Sequence, residues 1–469
     1  MVRVMRYVII YSFIVSFIFA CSNNDNFVID TPIDEDLSEF ENIERVIYND
    51  DIQFSDVSTI RQGLVCDHAS KILYYKQDEL KATVYLTEPL TIAESEKTED
   101  WGIYQFPGIM RVNDNTLLVR WSMQLDEQDS YGKIEEAKLS SRISLDEGKT
   151  WNEPSKAYDI PDRGETFLFF KNGGWISTQT PEVVPVASYS HFPDPIGEYK
   201  GRFYYRMTDL PNELQGAYLT SFINGERKYF HAKIVDPEAI RYAYQGSANV
   251  LWLGNFLELE NGSIIASIYS NRIDENRIVP SGILIYKSTD KGENWSLLSY
   301  IPYPKSEWKE NKEIDGFSEP VLSELSDGSL LCVIRSTEWL DNSPMYKSVS
   351  TDGGSTWSEP LAFTSNGCAP RLMLLKNGVT VLTSGRPGVQ LRFSIDGKAN
   401  EWTNPIEMMN FIDDAGDVNL LASCGYSSII RAGDNSFFLV YSVFKDNDKE
   451  KKVFYKKEIK IRKVTIQLP

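Results

Sequence analysis

Histidine is nearly absent from this chain, three in 469 residues. That scarcity excludes a histidine-built metal centre, since imidazole supplies most nitrogen ligands in zinc, copper and non-haem iron sites. Cysteine does not fill the gap. Cys21, Cys66, Cys332, Cys368 and Cys424 stand far apart, without close pairs or metal-ligand spacing. Cys332 lies inside the apolar run SLLCVIR and reads as a small core residue. There is no glycine-rich phosphate loop, no Gly-x-Ser-x-Gly elbow and no zinc motif. Neither cofactor nor metal is therefore expected. Positive charge is also short: 48 Lys and Arg against 67 Asp and Glu leave a net charge of −19. Such a surface makes nucleic acid a poor partner and suits a protein kept soluble outside the cell. Long helical periodicity is missing too, which points away from an α-helical fold.

What is present begins with a leader. Two arginines in MVRVMR precede the apolar stretch YVIIYSFIVSFIF, which is shorter than the ~20 residues a spanning helix needs. Residues 1–20 read as an export signal. Cys21, directly after Ile18-Phe19-Ala20, resembles the cysteine of a lipoprotein cleavage box, so it is expected to become the acylated first residue of the mature protein. Residues 21–45, rich in Asn, Asp and Glu, read as a flexible polar tether. The folded part is expected over 46–469, in a monomer held by its lipid on a bacterial membrane, on the periplasmic or cell-surface side.

The body of the chain repeats. Six segments show an apolar run, a turn of Asn, Asp or Gly, and a second apolar run: they start near 107, 167, 252, 320, 371 and 427. Each predicts a β-hairpin. The spacing, roughly 50 to 90 residues, leaves room for four strands per unit. Such small sheets bury their faces only against one another, so the expected fold is all-β: a six-bladed β-propeller of four-stranded antiparallel blades. A second repeat punctuates the first. SLDEGKTW (144–151), STDKGENW (288–295) and STDGGSTW (350–357), with the looser SIDGKANEW (394–402), share a Ser, an Asp two residues on, and a closing Trp. Placed at the turn into each outer strand, Asp accepts turn amides, Gly supplies positive φ and Trp packs at the edge, which makes the octamer a turn staple.

In such a blade the start of the first strand and the end of the second emerge together. Gln105, Glu165, Asn249, Glu319, Pro370 and Tyr426 fall at first-strand starts. Asp126, Asp129, Glu182, Arg272, Arg335 and Arg386 fall around second-strand ends. Arginines, carboxylates and a tyrosine at one rim suit an anion-receptive site with acid–base groups. The octamers, the six-unit count, EPVLSELSDGSLLCVIR, TSGRPGVQLRFSIDG and GYSSIIRAGDNSFFLVYS together resemble the sialidase (neuraminidase) superfamily over roughly residues 100–460. The resemblance implies an exo-acting, retaining glycoside hydrolase for a terminal acidic sugar. It maps the nucleophile to Tyr426, its activating base to Glu319, and two arginines of a carboxylate-binding triad to Arg335 and Arg386. The acid/base maps to the loop LDEQD, where Asp129 fits the spacing better and Asp126 stays open. A phenol suits this chemistry because a carboxylate nucleophile would be repelled by an acidic sugar.

One position departs from the pattern. The family's first blade opens with an arginine where this chain has Gln105 in Tyr104-Gln105-Phe106-Pro107, which exchanges a charge-assisted contact for an amide contact. Arg272 is the substitute favoured by position. The insertion at about 181–248, rich in aromatics, is expected to form core, a lid or a sugar-stacking wall. Two other readings accompany the leading one: a propeller glycosidase for a different sugar, and a glycan-binding surface lipoprotein without turnover.

Overall fold

The computed structural model describes residues 45–47, 70–75, 80–95, 99–113, 115–123, 138–152, 167–178, 186–188, 192–243, 247–249, 254–307, 315–337, 343–411, 419–420, 422–448 and 453–468. Among these the secondary structure is strand, with three single 3-10 turns at 207–209, 212–214 and 305–307 and no α-helix. No helix among the described residues is long and apolar enough to cross a membrane. The chain divides into two compact units. The first comprises the described residues within 161–322 and 330–362, and the second those within 45–160, 323–329 and 363–468.

All six hairpins expected from the sequence form. Their turns use the predicted chemistry: Asn261, Asp327 and Asn377 each accept the backbone N–H two residues on, at 3.0, 3.0 and 3.2 Å. The glycines that follow take positive φ. The sheets they build are not six separate four-stranded ones. Two are, formed by Phe317–Glu324, Leu330–Ser336, Met345–Ser350 and Leu361–Ala362, and by Cys368–Leu374, Thr380–Gly385, Val389–Ser394 and Ile406–Glu407.

In the first unit two such meanders fuse into eight strands. Strand Glu226–Val235 runs parallel to Asn294–Ile301, pairing Lys233, Ile234 and Val235 with Asn294, Trp295 and Ser296. The stretch 181–248 is therefore not a simple insertion: Gly216–Ile223 and Glu226–Val235 complete the meander begun by Phe167–Phe169 and Trp175–Thr178. Only its flanks stand apart. Gly197–Tyr199, Arg202–Arg206 and Ile240–Ala243 make a small sheet of three, and Val186–Ser188 pairs with Ser247–Asn249. The core of this unit gathers Phe256, Ile264, Ala266, Leu284, Tyr286 and Trp295, all buried. Ile264–Ile268 is buried at every position because both faces of its strand are covered.

In the second unit ten strands share one sheet. The long strand Val453–Gln467 pairs with Ser436–Asp448 along nearly its whole length, and also with Leu80–Leu86 and Leu90–Ser95. Strands from opposite ends of the sequence are thus joined by backbone hydrogen bonds. Val84, Leu86, Val464 and Ile466 are fully buried where they meet, and each such aliphatic contributes about 1.5–3 kcal/mol by leaving water.

The octamers hold turns. In the copy at 350–357, Ser350 Oγ donates to Asp352 Oδ1 at 2.8 Å and accepts the Gly354 N–H at 2.8 Å. Asp352 accepts the Thr356 N–H at 2.8 Å and its hydroxyl at 2.6 Å, and Trp357 Nε1 donates to the Gly354 carbonyl at 3.1 Å. The copies at Asp146 and Asp290 repeat the pattern. The looser copy keeps its Ser394 to Asp396 bond at 3.0 Å. Hydrogen bonds from the Thr side chain and backbone hold the Asp146 and Asp352 carboxyls down at about 2, below the ordinary 3.8. A carboxyl so depressed contributes its full stabilisation above about 4 and loses it as pH falls through about 2. Asp352→Ala is expected to lower Tm at neutral pH, with the gap to the parent narrowing between pH 4 and 2. Thermal melts across that range check it.

Candidate functional site

A recurring local distortion positions the candidate residues. The first strand of several hairpins carries a non-glycine residue with positive φ: Phe106 (51°), Asn255 (49°), Glu319 (45°) and Ala369 (47°). The register shifts there, between Gln105 and Gly108, Gly254 and Leu257, and Cys368 and Arg371. Left-handed backbone costs an ordinary residue about 1–2 kcal/mol. Proline follows at Pro107, Pro320 and Pro370 and withholds an N–H from the ladder. A bulge of this kind bends the strand and re-aims its side chains. It corrects one expectation, because the structural counterpart of Glu319 at the third hairpin is Asn255, while Asn249 pairs with Val186 in a separate two-stranded sheet.

In the first unit the left-handed Glu319, whose side chain is 2% exposed, stands against Arg335 on the neighbouring strand. Arg335 Nη1 donates to Glu319 Oε1 at 2.9 Å. Tyr269 lies within electrostatic reach of Glu319, Arg335, Arg202 and Tyr242, and burial pushes its phenol well up. Arg202 holds its guanidinium 4.9 Å over the Tyr242 ring. Burial is the leading cause that raises Tyr242 and Tyr204, while it lowers Arg241, which sits among the same tyrosines. Tyr204 donates to Asn271 Oδ1 at 2.9 Å. These tyrosines and arginines were missed as site residues. Their signal is the alternation of Arg and Tyr in RFYYR and IRYAY, which reads equally well as core.

Arg272 belongs elsewhere. Its guanidinium grips the buried Asp236 with two bonds, Nη2 to Oδ2 at 2.8 Å and Nη1 to Oδ1 at 3.2 Å. Tyr286 donates to the same carboxylate at 2.8 Å. Its charge is neutralised inside the unit, so the expectation that it binds substrate in place of the missing arginine is corrected: it is a structural ion pair.

In the second unit Tyr426 is 4% exposed, and its ring meets that of Phe106 edge-on at 4.7 Å between centroids. Gln105, beside Phe106, is 1% exposed. Glycine brings Arg386 to the same place. A Cβ on Gly385 would overlap the Gly425 carbonyl, and one on Gly425 would lie 3.0 Å from Arg386 Cγ and 2.9 Å from Cys368 Sγ. Only with both side chains reduced to hydrogen do these backbones approach, setting Arg386 against the residue before Tyr426. Cys332, Cys368 and Cys424 are buried and form no disulfide. Cys332 is fully enclosed, and burial drives its thiol well up, as befits a core residue. Asp126, Asp129, Glu165, Glu182, Cys66 and the leader with Cys21 lie outside the described residues. Among the described residues no group of three or more His, Cys, Asp or Glu side chains is placed to hold a metal ion.

Removing one partner of a buried ion pair leaves an uncompensated charge, at a cost of about 3–5 kcal/mol. Asp236→Ala is expected to destabilise the protein by that order, and the double variant Asp236→Leu/Arg272→Met to regain most of it. Denaturant melts of both proteins check this.

No family model matches the chain. A sialidase from Paraclostridium sordellii is 22% identical over 271 residues, 56% of this chain and 63% of that protein, so the match spans less than two thirds of the relative's length. Among solved structures, a protein of unknown function from Dyadobacter fermentans covers 82% of this chain and 99% of its own at 18% identity, with a TM-score of 0.55. A Trypanosoma rangeli sialidase in complex with the inhibitor DANA covers 77% of this chain and 55% of its own, at 14% identity and a TM-score of 0.40. An α-L-arabinanase from Penicillium chrysogenum, complexed with arabinobiose, covers 80% and 97%, at 17% identity and a TM-score of 0.42. The chain shares its fold with the Dyadobacter protein.

Proposed function

We propose that the chain is a glycoside hydrolase of the β-propeller type, sialidase-like, removing a terminal acidic sugar from glycans with retention of configuration. The observation that carries this reading is the Glu319–Arg335 pair at 2.9 Å. A carboxylate and a guanidinium are fixed on adjacent strands, the carboxylate on a left-handed residue whose strain the fold must offset elsewhere. Those residues are also the ones the sialidase resemblance selects, and the Paraclostridium sordellii relative carries that name.

In this reading Tyr426 is the nucleophile, its phenol neutral until a base takes the proton, and Glu319 is that base. Asp129 or Asp126 protonates the leaving oxygen and then activates water. Arg335 and Arg386 hold the sugar carboxylate through charge-assisted bonds. Gln105, a neutral amide where the resemblance expects arginine, favours a second reading: the same machinery serving a sugar without a carboxylate at the anomeric carbon. The leader supports export, with Cys21 acylated and the protein displayed as a monomer on a bacterial membrane.

Tyr426→Phe is expected to cut turnover by about three orders of magnitude or more while leaving Tm unchanged, because a covalent step lost from catalysis costs at least that much. Release of 4-methylumbelliferone from sialyl, uronyl and neutral glycosides checks it. Equal turnover in the variant removes the tyrosine mechanism, and turnover on neutral sugars alone selects the second reading. Cys21→Ser is expected to abolish incorporation of labelled palmitate and shift the protein from membrane to soluble fractions; a wild-type protein that takes up no label overturns the anchor.

A further inference from the structure

The small sheet formed by Gly197–Tyr199, Arg202–Arg206 and Ile240–Ala243 has no part in the reading above, yet it concentrates positive charge in a chain of net charge −19. Lys200, Arg202 and Arg241 stand on it or in its turn, and Asp315 is the carboxylate the first two share. Lys200 Nζ is the nearer partner, 2.9 Å from Asp315 Oδ2, while Arg202 Nη1 keeps 3.7 Å from Oδ1. Arg202 is spread over the Tyr242 ring at 4.9 Å, and Tyr242 in turn meets Tyr204 at 5.9 Å between centroids. The side chain of Arg202 remains 34% exposed.

A guanidinium held over an aromatic ring, as Arg202 is over Tyr242, is restrained in position. Tyr204 and Asp315 engage part of its fork; a guanidinium carries five N–H donors, so capacity for a carboxylate is left, and little rotamer entropy remains to lose. The neighbours are chemically apt as well. Tyr269, from the adjoining strand Ile264–Asp274, lies within electrostatic reach of both Arg202 and the Glu319–Arg335 pair. The cluster thus combines buried phenols with the cations Lys200, Arg202, Arg241 and Arg335, which outnumber the carboxylates Asp315 and Glu319 among them.

We propose that Arg202, seated on Tyr242 beside Tyr269, is a substrate-binding residue that gives this protein its preference for a glycan unit carrying a carboxylate. The sequence lacks one expected arginine at Gln105; this sheet adds one that no motif announces. The inference rests on the glycoside hydrolase reading for its kinetic test, while binding of the free sugar tests it separately.

The experiment compares the full-length protein with Arg202→Gln, Arg202→Lys and, as a control, Lys228→Gln, an exposed lysine paired with Glu293. Against 4-methylumbelliferyl glycosides of N-acetylneuraminic acid and glucuronic acid, Arg202→Gln is expected to raise KM about tenfold or more with kcat little changed, the loss of one charge-assisted contact. Neutral glycosides should change less than about twofold. Arg202→Lys should recover part of the loss, and Lys228→Gln should match the parent. Equal effects on acidic and neutral substrates, no effect at all, or a parent that turns over neutral sugars alone overturns the proposal.

Should the parent turn over none of them, the hydrolase reading falls by itself, and saturation-transfer NMR with N-acetylneuraminic acid and its methyl ester decides the inference. Preference for the free acid in the parent, lost in Arg202→Gln, upholds it. A parent that binds acid and ester alike, or binds neither, or a variant that keeps the preference, sinks it.

Discussion

The left-handed residue at the head of the inner strands is the constraint on which the candidate chemistry depends. At Phe106, Asn255, Glu319 and Ala369 one residue is held where L-amino acids pay about 1–2 kcal/mol, and each time the strand leaves its regular register or meets a proline. A strand that ran on undistorted would send its side chains alternately to the two faces. With the distortion, Glu319 comes against Arg335, and Phe106 comes edge-on to Tyr426. Several sheets pay this cost at equivalent places, which marks the bulge as a device of the repeat. The hairpins and octamers make it affordable, since each fixes its own turn by local bonds.

Buried charge is used in two ways. Arg272 and Asp236 are sealed together with Tyr286 and serve the interior of one unit. Arg335 and Glu319 are also bonded, but Arg335 keeps 19% of its side chain exposed and stands near phenols and a further arginine. The difference lies in exposure. A carboxylate that accepts two guanidinium bonds and a phenol inside the core has little capacity left for a ligand, whereas Arg335 keeps part of its side chain at the surface. Sequence position alone ranked Arg272 as a binding residue; the second bond to Asp236 removes it.

Legibility followed range. The turns NGS, SDGS and KNGV announce their hairpins because the residues that bond are neighbours in sequence, and the octamers announce theirs for the same reason. The pairing of Glu319 with Arg335 was reachable because one hairpin separates them. Asn255 was missed in favour of Asn249, since a bulge shifts register without leaving a compositional mark. Arg202, Tyr242 and Tyr269 were passed over because alternating Arg and Tyr in a strand is the pattern of a half-buried sheet as much as of a binding face.

The sequence by itself determined the strands and turns of the described hairpins and the acidic net charge, all of which arise from contacts within a few residues or from composition. Tertiary structure decided how the meanders fuse into eight- and ten-stranded sheets, that the Val453–Gln467 strand pairs with Leu80–Leu86, and which arginine is neutralised in the core. The physical reason is that a backbone edge accepts any partner strand and a guanidinium any carboxylate. Only packing of the whole chain selects which one arrives.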